Sequence, residues 1–389
     1  MRRLWALPAT VWWLALCQAL LVNGNIILIT VNPLIGERLA PGTALSTLPV
    51  ATQMLGVTLA TLPAGRLTAD LGRRRTFVIA NLIGLAGVVL SLASLLTESF
   101  IGYSLGTFAI GASVGAGMLY RFAAVDAAPE QRDRALSLVM AGGVLAALSS
   151  PWLATHTRDL FPVPFAGTLL GLGVLYLAAL GIVLRLSLPD PVRPGQAVRV
   201  PLSAALKRPV LLAAMLSAAL GYTVMNLSMT AAPLAMSHQG YPLEAISEVI
   251  GLHALAMFAP SFFTGGLIRR LGHARLIVAG ATLLALSALC ALLAPALYAF
   301  GAGLLLLGAG WNLVFVTASA WLTTAHRPEE APTIQALNDC MVFALVTLSA
   351  LVAGPLNAWL GWQTLHLWLL VPILALTAAV MRAARLNAS

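Results

Sequence analysis

Apolar runs close to twenty residues long, separated by brief polar or proline-containing breaks, recur along this whole chain. About 20 apolar residues are needed to cross a bilayer as a helix, and only a bilayer gives so much continuous apolar surface a solvent. The pattern predicts twelve spanning helices, near residues 9–31, 43–64, 76–97, 99–121, 135–156, 164–186, 209–231, 244–267, 275–293, 297–323, 334–356 and 363–381. Arg2 and Arg3 precede the first, and no small-residue cleavage site follows it, so it reads as a retained helix rather than a signal peptide.

The longest polar stretch runs from Ser187 to Pro209 and contains Pro189, Pro191, Pro194, Pro201 and Pro209 among basic residues. Proline and charge together rule out a span there. The expected organisation is an N-terminal six-helix half (1–186), a cytoplasmic linker (187–208) and a C-terminal six-helix half (209–389). The halves echo each other. "GRLTADLGRRR" begins at Gly65 and "GGLIRRLGHAR" at Gly265, each with glycines seven apart and a basic tail. "APEQRDRA" from Ala128 is echoed by "RPEEAPTI" from Arg327, each just before the fifth helix of its half. Two six-helix halves in parallel repeat form an architecture that holds substrate near the midplane.

Composition sharpens this. Of 389 residues 60% are hydrophobic and 9% charged, with a mean hydropathy of +0.92, whereas a soluble domain is about 25% charged. The net charge of +9 would suggest nucleic acid in a soluble protein. Here all 22 lysines and arginines except Arg38 and Arg158 fall on one side of the twelve-span topology. The positive-inside rule then puts both termini in the cytoplasm and makes the basic balance a matter of topology, not of nucleic-acid binding. Cys17, Cys290 and Cys340 are scattered inside spans with no C-x-x-C pair, so neither a disulfide framework nor a zinc site is expected. With no glycine loop after a strand and no nucleophile constellation, an enzyme is not expected, nor is a cofactor.

The chain resembles the major facilitator superfamily over its full length. That family's loop between the second and third helices reads roughly G-x-L-A-D-R-x-G-R-R, and Gly65, Leu67, Gly72, Arg73 and Arg74 match it. Ala69 stands at the family's acid and Asp70 at its arginine. The resemblance implies a gating loop of Gly65, Asp70, Gly72, Arg73 and Arg74 that makes charge contacts with neighbouring helix ends; read without it, Arg73 to Arg75 are topogenic charges.

Ionisable residues at membrane depth are costly and are functional candidates by default. His253 lies mid-helix in the eighth span, with Glu244 and Glu248 at its outer end; Asp339 lies one turn into the eleventh. Asp339 and Glu248 are candidates for proton coupling. Arg121 and Asp126 mark the inner end of the fourth span, and His156 and His366 are expected at the outer interface. Met225 and Met229 stand four apart in the seventh span, as His253 and Met257 do in the eighth. That spacing places each pair on one helix face. Thioether and neutral imidazole are soft ligands of the kind that select Cu(I). Read as packing, methionine is a pliable core filler and a buried histidine is a hydrogen-bonded one.

These four positions also resemble those of the CcoA-like copper importers within the superfamily, which carry M-x-x-x-M in the seventh helix and H-x-x-x-M in the eighth. The resemblance implies import of copper, as Cu(I), across the bacterial inner membrane by a monomeric carrier, in support of cytochrome oxidase assembly. Met225, Met229, His253 and Met257 would be its metal ligands, Cys17, Cys340 and Met341 later contacts, and a copper chaperone a candidate partner beside the lipid bilayer. Copper is then the transported substrate, not a cofactor. The alternative is an organic-solute carrier of the same fold, for riboflavin uptake or hydrophobic-compound efflux, with a cavity lined by Trp311, Asn312, Tyr222 and Tyr120.

Overall fold

The computed structural model describes residues 7–188, 207–293, 296–327 and 330–388. Most of the expected linker, 189–206, lies outside the described residues. The helices are α1 (Ala9–Leu39), α2 (Leu48–Leu71), α3 (Arg73–Leu96), α4 (Phe100–Gly117), α5 (Tyr120–Ala127), α6 (Arg132–Arg158), α7 (Ala166–Arg185), α8 (Pro209–His238), α9 (Leu243–Phe258), α10 (Ser261–Leu271), α11 (His273–Cys290), α12 (Leu297–Thr324) and α13 (Ala331–Ala388). No strand occurs among the described residues.

Nine of these stretches, with α4 and α5 taken together, are long and apolar enough to cross a membrane, and the bent pair α9–α10 makes a tenth. The apolar part of α2 and the second half of α13, set off by a break at Gly361, complete the twelve expected spans. This is an all-helical membrane protein. Large side chains facing outward, among them Ile101, Trp359, Trp368 and Leu374, need a hydrocarbon solvent, and in hydrocarbon only a structure that satisfies its own backbone groups can span.

Two spans differ from the uniform helices expected. The fourth is broken at Met118 and Leu119 into α4 and α5. The eighth bends by 43° between α9 and α10. Pro260 precedes α10 there, and a proline has no N–H to donate back to the preceding turn.

By contacts, the helices up to α7 together with Met236–Leu255 form one compact unit, and residues 209–235 with 256 onward form a second. In the first, α4 packs on α2 and α3, α1 on α6, and α3 on α7. Glycine makes the α2–α4 approach possible: a Cβ on Gly111 would sit 1.9 Å from the Gln53 carbonyl oxygen. Across that contact runs a buried polar chain. Tyr103 donates to Asn32 (2.7 Å), Asn32 to Gln53 (2.8 Å) and Gln53 to Asn25 (2.9 Å). In the second unit α11 packs on α12 and α13.

The repeat read from the sequence is visible in the backbone. Gly72 joins α2 to α3 at φ 81°, ψ 162°, and Gly272 joins α10 to α11 at φ 77°, ψ 163°. Only glycine occupies that region readily, so the seven-residue glycine spacing encodes the same joint twice, 200 positions apart.

Candidate functional site

At the loop after α2, two arginines are partnered. Arg73 opens α3, is 7% exposed, and pairs through Nη2 with the carboxylate of Asp126 near the end of α5. Arg74, exposed, donates to the carbonyl of Leu184 in the last turn of α7, where helix carbonyls lack intrahelical donors. Asp70 is exposed, and the ion pairs among the described residues do not include it. The acid of this network is therefore Asp126, which the sequence alone marks only as a helix end. Gly65 is exposed, with open space where a Cβ would go.

The soft residues lie deep. Met225 and Met229, one turn apart on α8, are buried in the second unit. His253 on α9 is fully buried in the first unit, and Met257, at intermediate exposure, belongs to the second. Cys17 is buried, Cys340 exposed, and Met341 and Asp339 intermediate; Asn338 donates to Asp339 at 3.2 Å. Among the described residues no group of three or more His, Cys, Asp or Glu could hold a metal, so an ion at the methionines would depend on thioethers. Glu248 is exposed and lines a groove of about 470 Å³ in the first unit with Glu244, Trp152 and His156.

His366 is a correction to the interfacial placement. It is 2% exposed, within 3.1 Å of Ser228 Oγ and 2.8 Å of the Trp362 carbonyl. Asn312 is a second. It is fully buried with both ends of its amide engaged: Nδ2 donates to the Met257 carbonyl and Ser261 Oγ, both at 2.6 Å, and Oδ1 accepts from Thr264 at 2.8 Å. The Met257 carbonyl lies in the last turn of α9, where helix carbonyls lack intrahelical donors, and Asn312 supplies one. Asn312 therefore clamps the α9–α10 joint and is not a free cavity wall.

Its neighbour Trp311 is different. Trp311 and Phe315, one turn apart on α12, stack with centroids 5.0 Å apart and planes 9° apart. Tyr222 of α8 meets each edge-on at 5.2 Å, and Phe343 of α13 lies 6.4 Å from Tyr222. Trp311 is 8% exposed, and its Nε1, a hydrogen-bond donor, has no acceptor. Tyr222, Phe315 and Phe343 are partly exposed. The second unit thus offers flat π-faces beside an unused buried donor. Sequence reasoning finds Tyr222 and Trp311 but misses Phe315 and Phe343, whose i, i+4 and cross-helix positions are the signal.

The model of the Major Facilitator Superfamily matches residues 14–348 and 214–387. The "Riboflavin transporter RfnT" of Brucella anthropi is 38% identical over 368 residues, covering 93% of this chain and 92% of that protein. "Uncharacterized MFS-type transporter YddS" of Bacillus subtilis strain 168 is 30% identical over 351 residues, 85% of this chain and 79% of that one. Among solved structures, a mutant form of the nucleoside transporter NupG superposes with a TM-score of 0.75 at 13% identity over 96% of this chain and 99% of that one. A bacterial homologue of the human lysosomal transporter Spinster, inward-facing and occupied, gives 0.74 at 14% identity over 96% of each.

Proposed function

This chain belongs to the Major Facilitator Superfamily, and on that premise we propose that it takes up a riboflavin-class solute: a flat heteroaromatic ring bearing a polar tail. As a secondary transporter of this family it is not an enzyme and needs no cofactor. The observation that carries the substrate is the 38% identity to the riboflavin transporter over nearly the full length of both chains. The aromatic group of the second unit supports it physically. Trp311, Phe315, Tyr222 and Phe343 offer faces and edges suited to an aromatic ring, and such pairs contribute about 0.5–1.5 kcal/mol each beyond area burial. Trp311 Nε1 supplies a donor that a ring carbonyl or nitrogen would accept.

The protein works by alternating access as a monomer in the bacterial inner membrane, its two six-helix halves joined by the 187–208 linker and both termini in the cytoplasm. The test is growth of riboflavin-auxotrophic cells that lack their own uptake system. Expression of this protein lets them grow on low riboflavin; no growth at confirmed membrane expression refutes the reading.

A second reading, import of copper, rests on one observation: Met225, Met229 and His253 of the two four-residue pairs are buried side chains on apolar helices. A copper chaperone as partner, a route past Cys17, Cys340 and Met341, and a role in cytochrome oxidase assembly belong to this reading alone. Copper accumulation that depends on Met225, with no riboflavin-dependent growth, would favour it.

A further inference from the structure

In the first unit a groove of about 720 Å³ opens at the arginine-bearing ends of α3 and α7. Arg74, Arg75, Val78, Ile79, Leu184 and Leu188 line it. Three consecutive arginines therefore divide their roles. Arg73 turns inward to Asp126, while Arg74 and Arg75 are exposed at the groove, and the ion pairs of the described residues include neither. Asp70, on the far side of Gly72, does not line it.

Arg74 is held in place. Its Nη2 donates to the Leu184 carbonyl, and a guanidinium has five N–H donors in a fixed fork, so donors remain for an anion. The walls are apolar and continue toward the hydrocarbon. Four residues on from Val78 and Ile79, on the same faces of α3, Leu82 and Ile83 are 49% and 41% exposed. On α7, Leu184 and Leu177 lie two turns apart and are 47% and 53% exposed. Two cations at the head of an apolar track between packed spanning helices match a molecule with one anionic phosphate and long acyl chains.

We propose that this groove binds an anionic phospholipid, its phosphate on Arg74 and Arg75 and an acyl chain along the α3–α7 seam. Charge-assisted hydrogen bonds from guanidinium to phosphate are the strong, geometrically specific kind, and basic pockets between spanning helices suit lipid headgroups. The bound lipid would cover the joint at Gly72 and hold α7 against the start of α3. The proposal depends on the membrane fold and not on which solute is carried.

The test is native mass spectrometry of the purified full-length protein with phosphatidylglycerol, phosphatidylcholine or inorganic phosphate added. The wild type retains phosphatidylglycerol and releases phosphatidylcholine. Retention weakens about fivefold for each arginine removed, in R75Q alone and again in R74Q/R75Q. R269Q/R270Q, which removes two exposed arginines of the repeated loop, leaves it unchanged. If R74Q/R75Q does not fold, R75Q decides. Equal retention by R75Q and wild type overturns the proposal. So does competition by millimolar inorganic phosphate, which would make this an anion site with no part for the lipid chain.

Discussion

Arg208 grips Glu330 with both terminal nitrogens, Nη1 to Oε2 and Nη2 to Oε1, each at 2.7 Å. Arg208 stands immediately before α8 and Glu330 immediately before α13, so one bidentate pair fastens the entries of two helices of the second unit. Glu330 also accepts the backbone N–H of Arg327 at 3.0 Å. The Arg208 hydrogen bonds, and after them that backbone N–H, hold the Glu330 carboxyl down to about 2.

A depressed carboxylate has a fixed sign in its effect on stability. The contribution is full above the unfolded value, about 4.3 for glutamate, and is lost as pH falls toward the folded value of about 2. Unfolding temperature in detergent should therefore hold steady above about pH 5 and fall between about 4.5 and 2. E330Q should unfold lower at neutral pH and converge on the wild type in acid. Parallel curves for the two proteins would remove Glu330 as the titrating group.

Arg73 and Asp126 offer a test of the loop. D126N leaves a guanidinium that is 7% exposed without its anion. Breaking a fully buried pair costs about 3–5 kcal/mol. Asp126 is 40% exposed, so water screens the pair and a loss of about 1–2 kcal/mol is expected. Thermal unfolding measures that part, and initial uptake rate measures gating. The reversed pair R73D/D126R should recover more uptake than either single variant, since what matters is the contact and not which helix carries which charge.

The glycines of the same motif should separate into two kinds. G72A and G272A force a side chain into a glycine-only conformation and should each cost about 1–3 kcal/mol. G65A places a methyl in open space inside a helix and should be neutral or stabilising by up to about 1 kcal/mol. Unfolding temperatures of the three variants give the comparison; an equal loss at Gly65 would mean that sequence matching, not backbone geometry, marks the important positions.

Trp311 and its neighbour Asn312 should fail in different ways. N312L strips donors from the Met257 carbonyl and Ser261, and each buried group left unsatisfied costs about 1–3 kcal/mol, so the folded yield should drop. W311L should fold near normally and lose solute uptake, while W311F, which keeps a ring but no N–H, should be intermediate. Protein yield and labelled-solute uptake, measured on the same preparations, separate the two effects.

Much of this is legible from the chain. Twelve spans follow from run length, because the bilayer imposes a length on every crossing. The two glycine joints follow from spacing, because no other residue takes that backbone conformation. Partners are not legible. Asp126 lies 53 positions from Arg73 and Glu330 lies 122 from Arg208, and nothing local to either arginine says which carboxylate folding brings to it. Asn312 reads as a cavity polar group because the sequence shows an amide at depth but not the helix-end carbonyl, 55 positions away, that it bonds. The methionine pairs show the opposite hazard: a four-residue spacing is plain in sequence, yet it fits packing, a soft metal and the wall of an organic site alike.

Uptake by the purified protein in liposomes, with labelled riboflavin and radioactive copper supplied separately, distinguishes the two substrates. Riboflavin uptake should be saturable, abolished by excess unlabelled flavin and largely removed by W311L, with copper entry no faster than in empty liposomes. Copper uptake that requires Met225, with riboflavin at the rate of empty liposomes, would contradict it.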